Sequence, residues 1–295
     1  METNLSRWGG WEPGAASGQG QLEVRGKDFL GVVVRSKGAA LGPLELDVFS
    51  WLTARWFESG RSRDGLLNCT LYELGVALYG RKPSGKEVRL IRGAIENLAG
   101  ALITIGGFNA HSGETKPKLA SMVHLVESAV WAEDIEADVP TREDGAETGA
   151  LRGNSYEIKL ASWLVRQLEK QYVTYLDWRV QRQLGGLAKR LWIYLEAERF
   201  KAVGDGREKT YIILGDKAYT ALGVRHAREV DRRKALRQAG ERIAAIDDHY
   251  EAVVVERNPV DRKGWRILAT RLDRERAEVR RTLRAALPPR DEDAA

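Results

Sequence analysis

This chain of 295 residues contains a single cysteine, Cys69. One thiol excludes an intramolecular disulfide and any cysteine-rich zinc site, and its place inside an apolar stretch predicts an inert core thiol. No window holds the roughly 18 uncharged apolar residues that a bilayer-spanning helix requires. Met1–Gly20 lacks a basic segment followed by an apolar one, so no secretory signal is expected and the location reads as cytoplasmic. The four histidines, His111, His124, His226 and His249, never stand two residues apart. The His-x-His metal pair of a rolling-circle nicking enzyme is therefore missing. So is a GxxxxGK[ST] loop, which disfavours a built-in ATPase. Gly106-Gly107 and Gly185-Gly186 read instead as a hairpin turn and a close helix contact. These gaps point to a protein that is not an enzyme and needs no cofactor or metal.

Charge is plentiful and uneven. Residues 1–150 hold 16 Lys/Arg against 20 Asp/Glu, whereas residues 151–295 hold 31 against 22. The basic half suits a polyanionic partner.

Composition divides the chain into five stretches. Residues 1–20, Gly-rich with Trp8 and Trp11, read as a flexible arm. Residues 21–131 and 154–287 read as two folded bodies. Between them, 132–153 carries seven acids (Glu133, Asp134, Glu136, Asp138, Glu143, Asp144, Glu147) and little to bury, so it reads as an acidic linker. Residues 288–295 form an acidic tail.

The first body opens with an expected strand, Phe29–Arg35, and a helix started by Pro43 with Leu44, Val48, Trp51, Leu52 and Trp56 on a stripe. Thr70 and Glu73 form a capping box for a short helix that stops at Gly80. The turn Arg81–Gly85 leads to a helix with Val88, Ile91, Ile95, Leu98 and Leu102 inward and Lys86, Arg89 and Arg92 outward. Residues 102–105 and 119–126 then alternate as a hairpin.

The second body repeats the order. A strand (156–160) and a short helix (163–168) precede a long helix, 178–199, striped by Val180, Leu184, Leu187, Leu191, Tyr194 and Leu195. A helix near 212–222 ends at Gly223. A basic helix follows from Arg225 to about Ile246, with Leu236, Ala239, Ile243 and Ile246 inward, and strands 249–256 and 265–270 close the body. Gly80/Gly223 and Glu87-Val88/Glu229-Val230 set a repeat of about 142 residues. The fold class expected is α+β, mainly α, with two tandem winged-helix domains.

A short helix bracing a second one whose exposed N-terminal half enters the major groove is a way to read double-stranded DNA. Arginine and lysine there can pair with guanine or neutralise phosphates. Arg225, Arg228, Arg232, Arg233, Lys234 and Arg237 supply that helix. Arg257, Arg262, Lys263 and Arg266 supply a wing, and Lys86, Arg89 and Arg92 auxiliary contacts in the first body. Alone, Asp231-Arg232-Arg233-Lys234 would read as a solvated helix face; its position after a glycine turn gives it weight. Counting back from Leu236 places Arg232 or Arg233 near the core edge, so Arg228, Lys234 and Arg237 are the most outward. The tryptophans read as packing residues, with Trp265 open to either role.

The segment LNCTLYELGVALYGRKPSGKEVRLIRGAIENLAGALITI (67–105) resembles the first winged helix of iteron-binding plasmid replication initiators. YVTYLDWRVQRQLGGLAKRLWIYLEAERF (172–200) is similar to the helix opening their second, and YIILGDKAYTALGV with the basic helix after it matches the next pair. The likeness spans about 30–270. It implies a protein that binds origin repeats, helps melt adjacent AT-rich DNA and recruits the host initiator and replicative helicase. It also implies a homodimer in equilibrium with a DNA-binding monomer, the second module giving most of the affinity. The N-terminal arm and the long acidic stretch depart from the family pattern. A winged-helix transcriptional repressor binding an operator uses the same contacts and stays open.

Overall fold

The computed structural model describes residues 41–109, 114–131, 155–169, 174, 176–198, 207–261, 264–272 and 277–278. The arm, the expected strand 29–35, the acidic stretch and the tail lie outside them. Among the described residues helix exceeds strand, giving a mixed α and β protein with helix predominating. The chain divides into two compact units, residues 1–174 and 175–295.

Unit 1 begins with α1 (Pro43–Glu58), with Pro43 in the first turn, where its missing N–H costs nothing. Glu45 accepts the Gly42 N–H at 2.8 Å with one oxygen and the Asn97 amide at 2.9 Å with the other. The buried side of α1 carries Val48, Leu52 and Trp56 of the expected stripe together with Leu46 and Phe49, while Leu44 and Trp51 are only half-buried. Next come β1 (Leu66–Thr70), α2 (Leu71–Tyr79) and α3 (Gly85–Gly100). The capping box at Thr70 forms as expected, and Ser84 and Glu87 form a second on α3. Gly80 closes α2 at φ 68°, left-handed backbone that favours glycine. Ile91, Ala94, Ile95 and Leu98 line the core side of α3.

The hairpin expected after α3 is present as β2 (Ile103–Asn109) and β3 (Glu114–Val123), but it forms a separate two-stranded sheet. The main sheet of unit 1 is completed by β4 (Val126–Trp131) and β5 (Ser155–Leu160), in the order β1-β5-β4. In β5, Tyr156, Ile158 and Leu160 are buried and alternate with half-exposed residues. Its partners are Cys69 opposite Tyr156 and Leu67 opposite Ile158 on one side, Trp131 and Ala129 on the other. This corrects two sequence expectations. The strand at 156–160 and the helix after it, α4 (Ser162–Glu169), belong to unit 1 and not to the second body. The acidic stretch joins β4 to β5 within one sheet and is not an interdomain linker. Cys69 is buried, and burial pushes its thiol up to about 12, as an inert core thiol requires.

Unit 2 contains α5 (Trp178–Gln183), α6 (Gly186–Glu198), β6 (Arg207–Ile213), α7 (Asp216–Ala221), α8 (Glu229–Ile246), β7 (Tyr250–Arg257) and β8 (Trp265–Leu272). The single long helix expected over 178–199 is broken at Leu184-Gly185, with Gly186 at φ 49°. The helix expected from Ile212 starts only at Asp216, because Ile212 pairs with Ile267 in the sheet. The sheet order is β6-β8-β7, fully antiparallel. Helix, strand, short helix, helix, strand, strand, with the third strand central, therefore occurs in both units, unit 1 adding its extra hairpin before β4.

Buried polar groups fasten α6 to the start of β7. Asp247 accepts the Trp192 indole N–H at 2.7 Å and the His249 backbone N–H at 2.9 Å, with the His249 ring at 3.0 Å. Glu196 accepts the Tyr250 hydroxyl at 2.9 Å and pairs with Arg271. Arg190, almost wholly buried, donates twice to the carbonyl of Ala221 at the end of α7. Burial pulls its guanidinium down to about 9.

Candidate nucleic-acid interface

The corner between α7 and α8 sets the site. Gly223, at φ 69°, turns the chain out of α7, and buried Val224 donates its N–H to the carbonyl of Tyr219. Arg228, the N-cap, precedes a helix that starts at Glu229, later than the Arg225 expected. Arg225 thus lies on the turn, exposed. Leu236, Ala239, Gly240 and Ile243 face the core. A four- and three-residue step along the opposite face exposes Val230, Lys234, Arg237 and Glu241, with Gln238 and Arg242 beside them. Arg228 is 82% exposed at its side chain and holds Asp231 at 2.7 Å. Arg242 extends the cationic face one turn further and was missed in the sequence because it lies beyond the N-terminal cluster.

Arg232 and Arg233 do not point outward. The Arg232 guanidinium donates to the His226 carbonyl at 2.6 Å, reaches Asp216 at 3.3 Å and lies 5.0 Å from the Tyr219 ring centre. It clamps the turn onto α7. Arg233 pairs with Glu229 at 3.3 Å and lies 4.3 Å from the Trp265 ring centre. Arg257 lies at the same 4.3 Å from that indole. Trp265 is thereby held between a cation from α8 and one from the wing, each contact contributing about 0.5–1 kcal/mol at such a half-exposed position. Its role is to couple the two elements. The hydroxyl of Tyr219 donates to Glu229 at 2.5 Å, and burial with that bond pushes its pKa up.

On the wing, Arg257 is exposed, while Arg266 is tied to Glu256 at 2.6 Å. Arg262 and Lys263 lie outside the described residues. In unit 1, Lys86 and Arg89 are exposed on α3. Arg92 is half-buried beside Tyr156, whose hydroxyl is pushed up by burial and partly drawn back by that cation. The corner before α3 is held by Arg81, which pairs with both oxygens of Glu87 at 3.0 and 2.7 Å. Residues 1–174 hold 20 Lys/Arg against 22 Asp/Glu, and residues 175–295 hold 27 against 20. Among the described residues no group of His, Cys, Asp and Glu could hold a metal ion, and no helix is long and apolar enough to cross a membrane.

Neither a family model nor a curated protein matches the chain. Solved structures do. A structure of RctB domains 2-3 aligns over 94% of this chain and 99% of its own, with a TM-score of 0.55 and 14% identity. A second, of selenomethionine derivatives of domains 2 and 3 of RctB, aligns over 90% and 98%, with a TM-score of 0.53 and 14% identity. At this identity the likeness is one of fold.

Proposed function

We propose that this chain is a sequence-specific, double-stranded DNA-binding replication initiator built on two tandem winged-helix modules. The observation that carries this is the solvent face of α8: Lys234 and Arg237 stand on its exposed side and exposed Arg228 caps its start, in a helix that follows a left-handed glycine corner and packs on a two-stranded wing. That is the arrangement that lays side chains against base edges in the major groove. The fold shared with RctB, a replication initiator, supports the origin-binding assignment. So does the resemblance of 67–105 and 172–200 to iteron-binding initiators. In this function the protein is not an enzyme. It binds origin repeats, opens adjacent DNA and recruits the host initiator and replicative helicase, shifting between homodimer and monomer. Arg232, Arg233 and Arg266 shape the site, while Arg228, Lys234, Arg237 and Arg257 face the nucleic acid.

Arg228→Ala with Arg237→Ala tests the assignment, because both side chains are exposed and their loss leaves the core intact. Cognate binding should fall below detection. In wild type, with about six phosphates neutralised, affinity should drop roughly 10³-fold between 50 and 200 mM salt. Unchanged cognate affinity in the double variant overturns the interface. A plasmid carrying the gene with its upstream repeats should replicate. Promoter repression without replication would assign the same fold to a repressor.

A further inference from the structure

The tip between β7 and β8 displays an aliphatic side chain where a purely electrostatic wing would carry only cations. Val260 is 93% exposed, the most exposed of the large hydrophobic residues described. Pro259 beside it is exposed as well. The tip is held in shape from within. Asn258 is buried, its side-chain oxygen accepts the Val260 N–H at 3.1 Å, and its own N–H donates to the Gly264 carbonyl at 3.0 Å. The Gly264 N–H donates to the carbonyl of Asp261 at 2.9 Å. The Asp261 carboxylate lies so near Gly264 that a Cβ there would meet it at 3.0 Å. The acid therefore folds back over the glycine. At the root, Arg257 covers the Trp265 ring that Arg233 of α8 covers from its own element. The tip is thus a braced projection registered to α8.

Resting on the DNA-binding function proposed above, we infer that Pro259 and Val260 form an apolar wedge that enters the minor groove beside the site read by α8. Apolar side chains inserted between base steps partly unstack them and bend the duplex, and flexible pyrimidine–purine steps yield most easily. A wedge of this kind reads deformability. It gives the wing a preference that phosphate contacts from arginine cannot supply. It also places a local distortion at a fixed distance from the bases contacted by α8.

The test uses the full chain and a duplex that wild-type protein selects from a randomised library, with 2-aminopurine placed at the step under the wing. Wild type should raise the 2-aminopurine fluorescence and bend the duplex. Val260→Ser should weaken binding about tenfold, the scale of losing one buried valine side chain. It should also abolish the fluorescence rise and leave the salt slope unchanged, because no charge is altered. Val260→Ile should restore both signals. Val260 is exposed, so neither variant threatens folding. If Val260→Ser matches wild type in affinity, bend and fluorescence, the wedge is refuted while the DNA-binding function stands. If wild type selects no duplex at all, the function itself falls and the wedge with it.

Discussion

Replacing Gly240 by alanine sets two well-understood effects against each other. Gly240 lies on the buried face of α8, and a Cβ there would stand 2.3 Å from the carbonyl oxygen of Val253 on β7 and 3.1 Å from its Cγ1. Alanine in a helix interior gains about 1 kcal/mol over glycine. Against that, the nearest obstacle is backbone, which cannot rotate aside. α8 must lift from β7 by roughly 1 Å, and such overpacking costs about 1–3 kcal/mol. With a carbonyl as the obstacle the upper part of that range applies, so the net loss is about 1–2 kcal/mol. Gly93 on α3 is the control, because nothing lies within 4 Å of a Cβ built there. Gly93→Ala should gain up to about 1 kcal/mol of helix stability. Urea unfolding of the full chain measures both. The midpoint should fall for Gly240→Ala and rise for Gly93→Ala. Lifting α8 also displaces Lys234 and Arg237 relative to the wing, so in the proposed function Gly240→Ala should weaken cognate DNA binding and Gly93→Ala should not. A Gly240→Ala protein as stable as wild type, with undiminished binding, refutes the close seating of α8 on β7.

Asp247→Ala should destabilise unit 2 by about 3 kcal/mol, because it strands the buried Trp192 indole N–H and the His249 backbone N–H; chemical denaturation measures it, and a change below about 1 kcal/mol would mean that water replaces the carboxylate. Burial pushes the Asp247 carboxyl up, but bonds from the His249 ring, the His249 N–H and Trp192 outweigh it and leave its pKa below the ordinary 3.8. Its contribution is therefore complete above about pH 4 and lost as pH falls through the lower folded value. In unit 1, the Arg81 guanidinium and the Ser84 N–H and hydroxyl hold Glu87 at about 2. The corner before α3 should therefore stay intact down to about pH 4.5 and loosen only as pH falls towards 2. Glu87→Gln should remove that acid sensitivity, which amide exchange across the first turn of α3 can follow.

Local features were legible in the sequence because a few neighbouring residues decide them. The Thr70–Glu73 capping box, the stops at Gly80 and Gly223 and the inward set Leu236, Ala239 and Ile243 each follow from spacing alone, though Ile246, counted with that set, is only half-buried. Counting back from Leu236 puts Arg232 or Arg233 near the core edge; in the structure both are held there, by Tyr219 and Trp265. Features that depend on distant partners were not legible. The alternation of Tyr156, Ile158 and Leu160 announces a strand with one buried face, but nothing in it names β1 as the neighbour. An acidic, poorly apolar segment has the same composition whether it links domains or joins two strands of one sheet. The start of α8 was misplaced because Arg228, an uncommon N-cap, gives no Ser, Thr, Asp or Asn signal. The cation pair around Trp265 joins residues from two elements and becomes visible only once both are folded.

In the proposed function the repeat gives the two modules different tasks. β1-β5-β4 and β6-β8-β7 have the same order, so the β4–β5 connection of unit 1 occupies the topological place of the β7–β8 wing. The second wing carries Arg257, Arg262 and Lys263 against Asp261, whereas the first connection, residues 132–154, carries seven acids against two arginines. At physiological salt charges act over about 8 Å, so those acids oppose phosphates only locally. In the proposed function this holds unit 1 off the backbone and leaves α8 to choose the site. Converting the seven acids to their amides takes residues 1–174 from a net charge of −2 to +5. Affinity for an arbitrary duplex at low salt should then rise and its salt dependence steepen, while preference for the selected site shrinks. A variant that binds arbitrary and selected duplexes as wild type does, at every salt concentration, would show that the acidic connection has no part in keeping unit 1 from DNA.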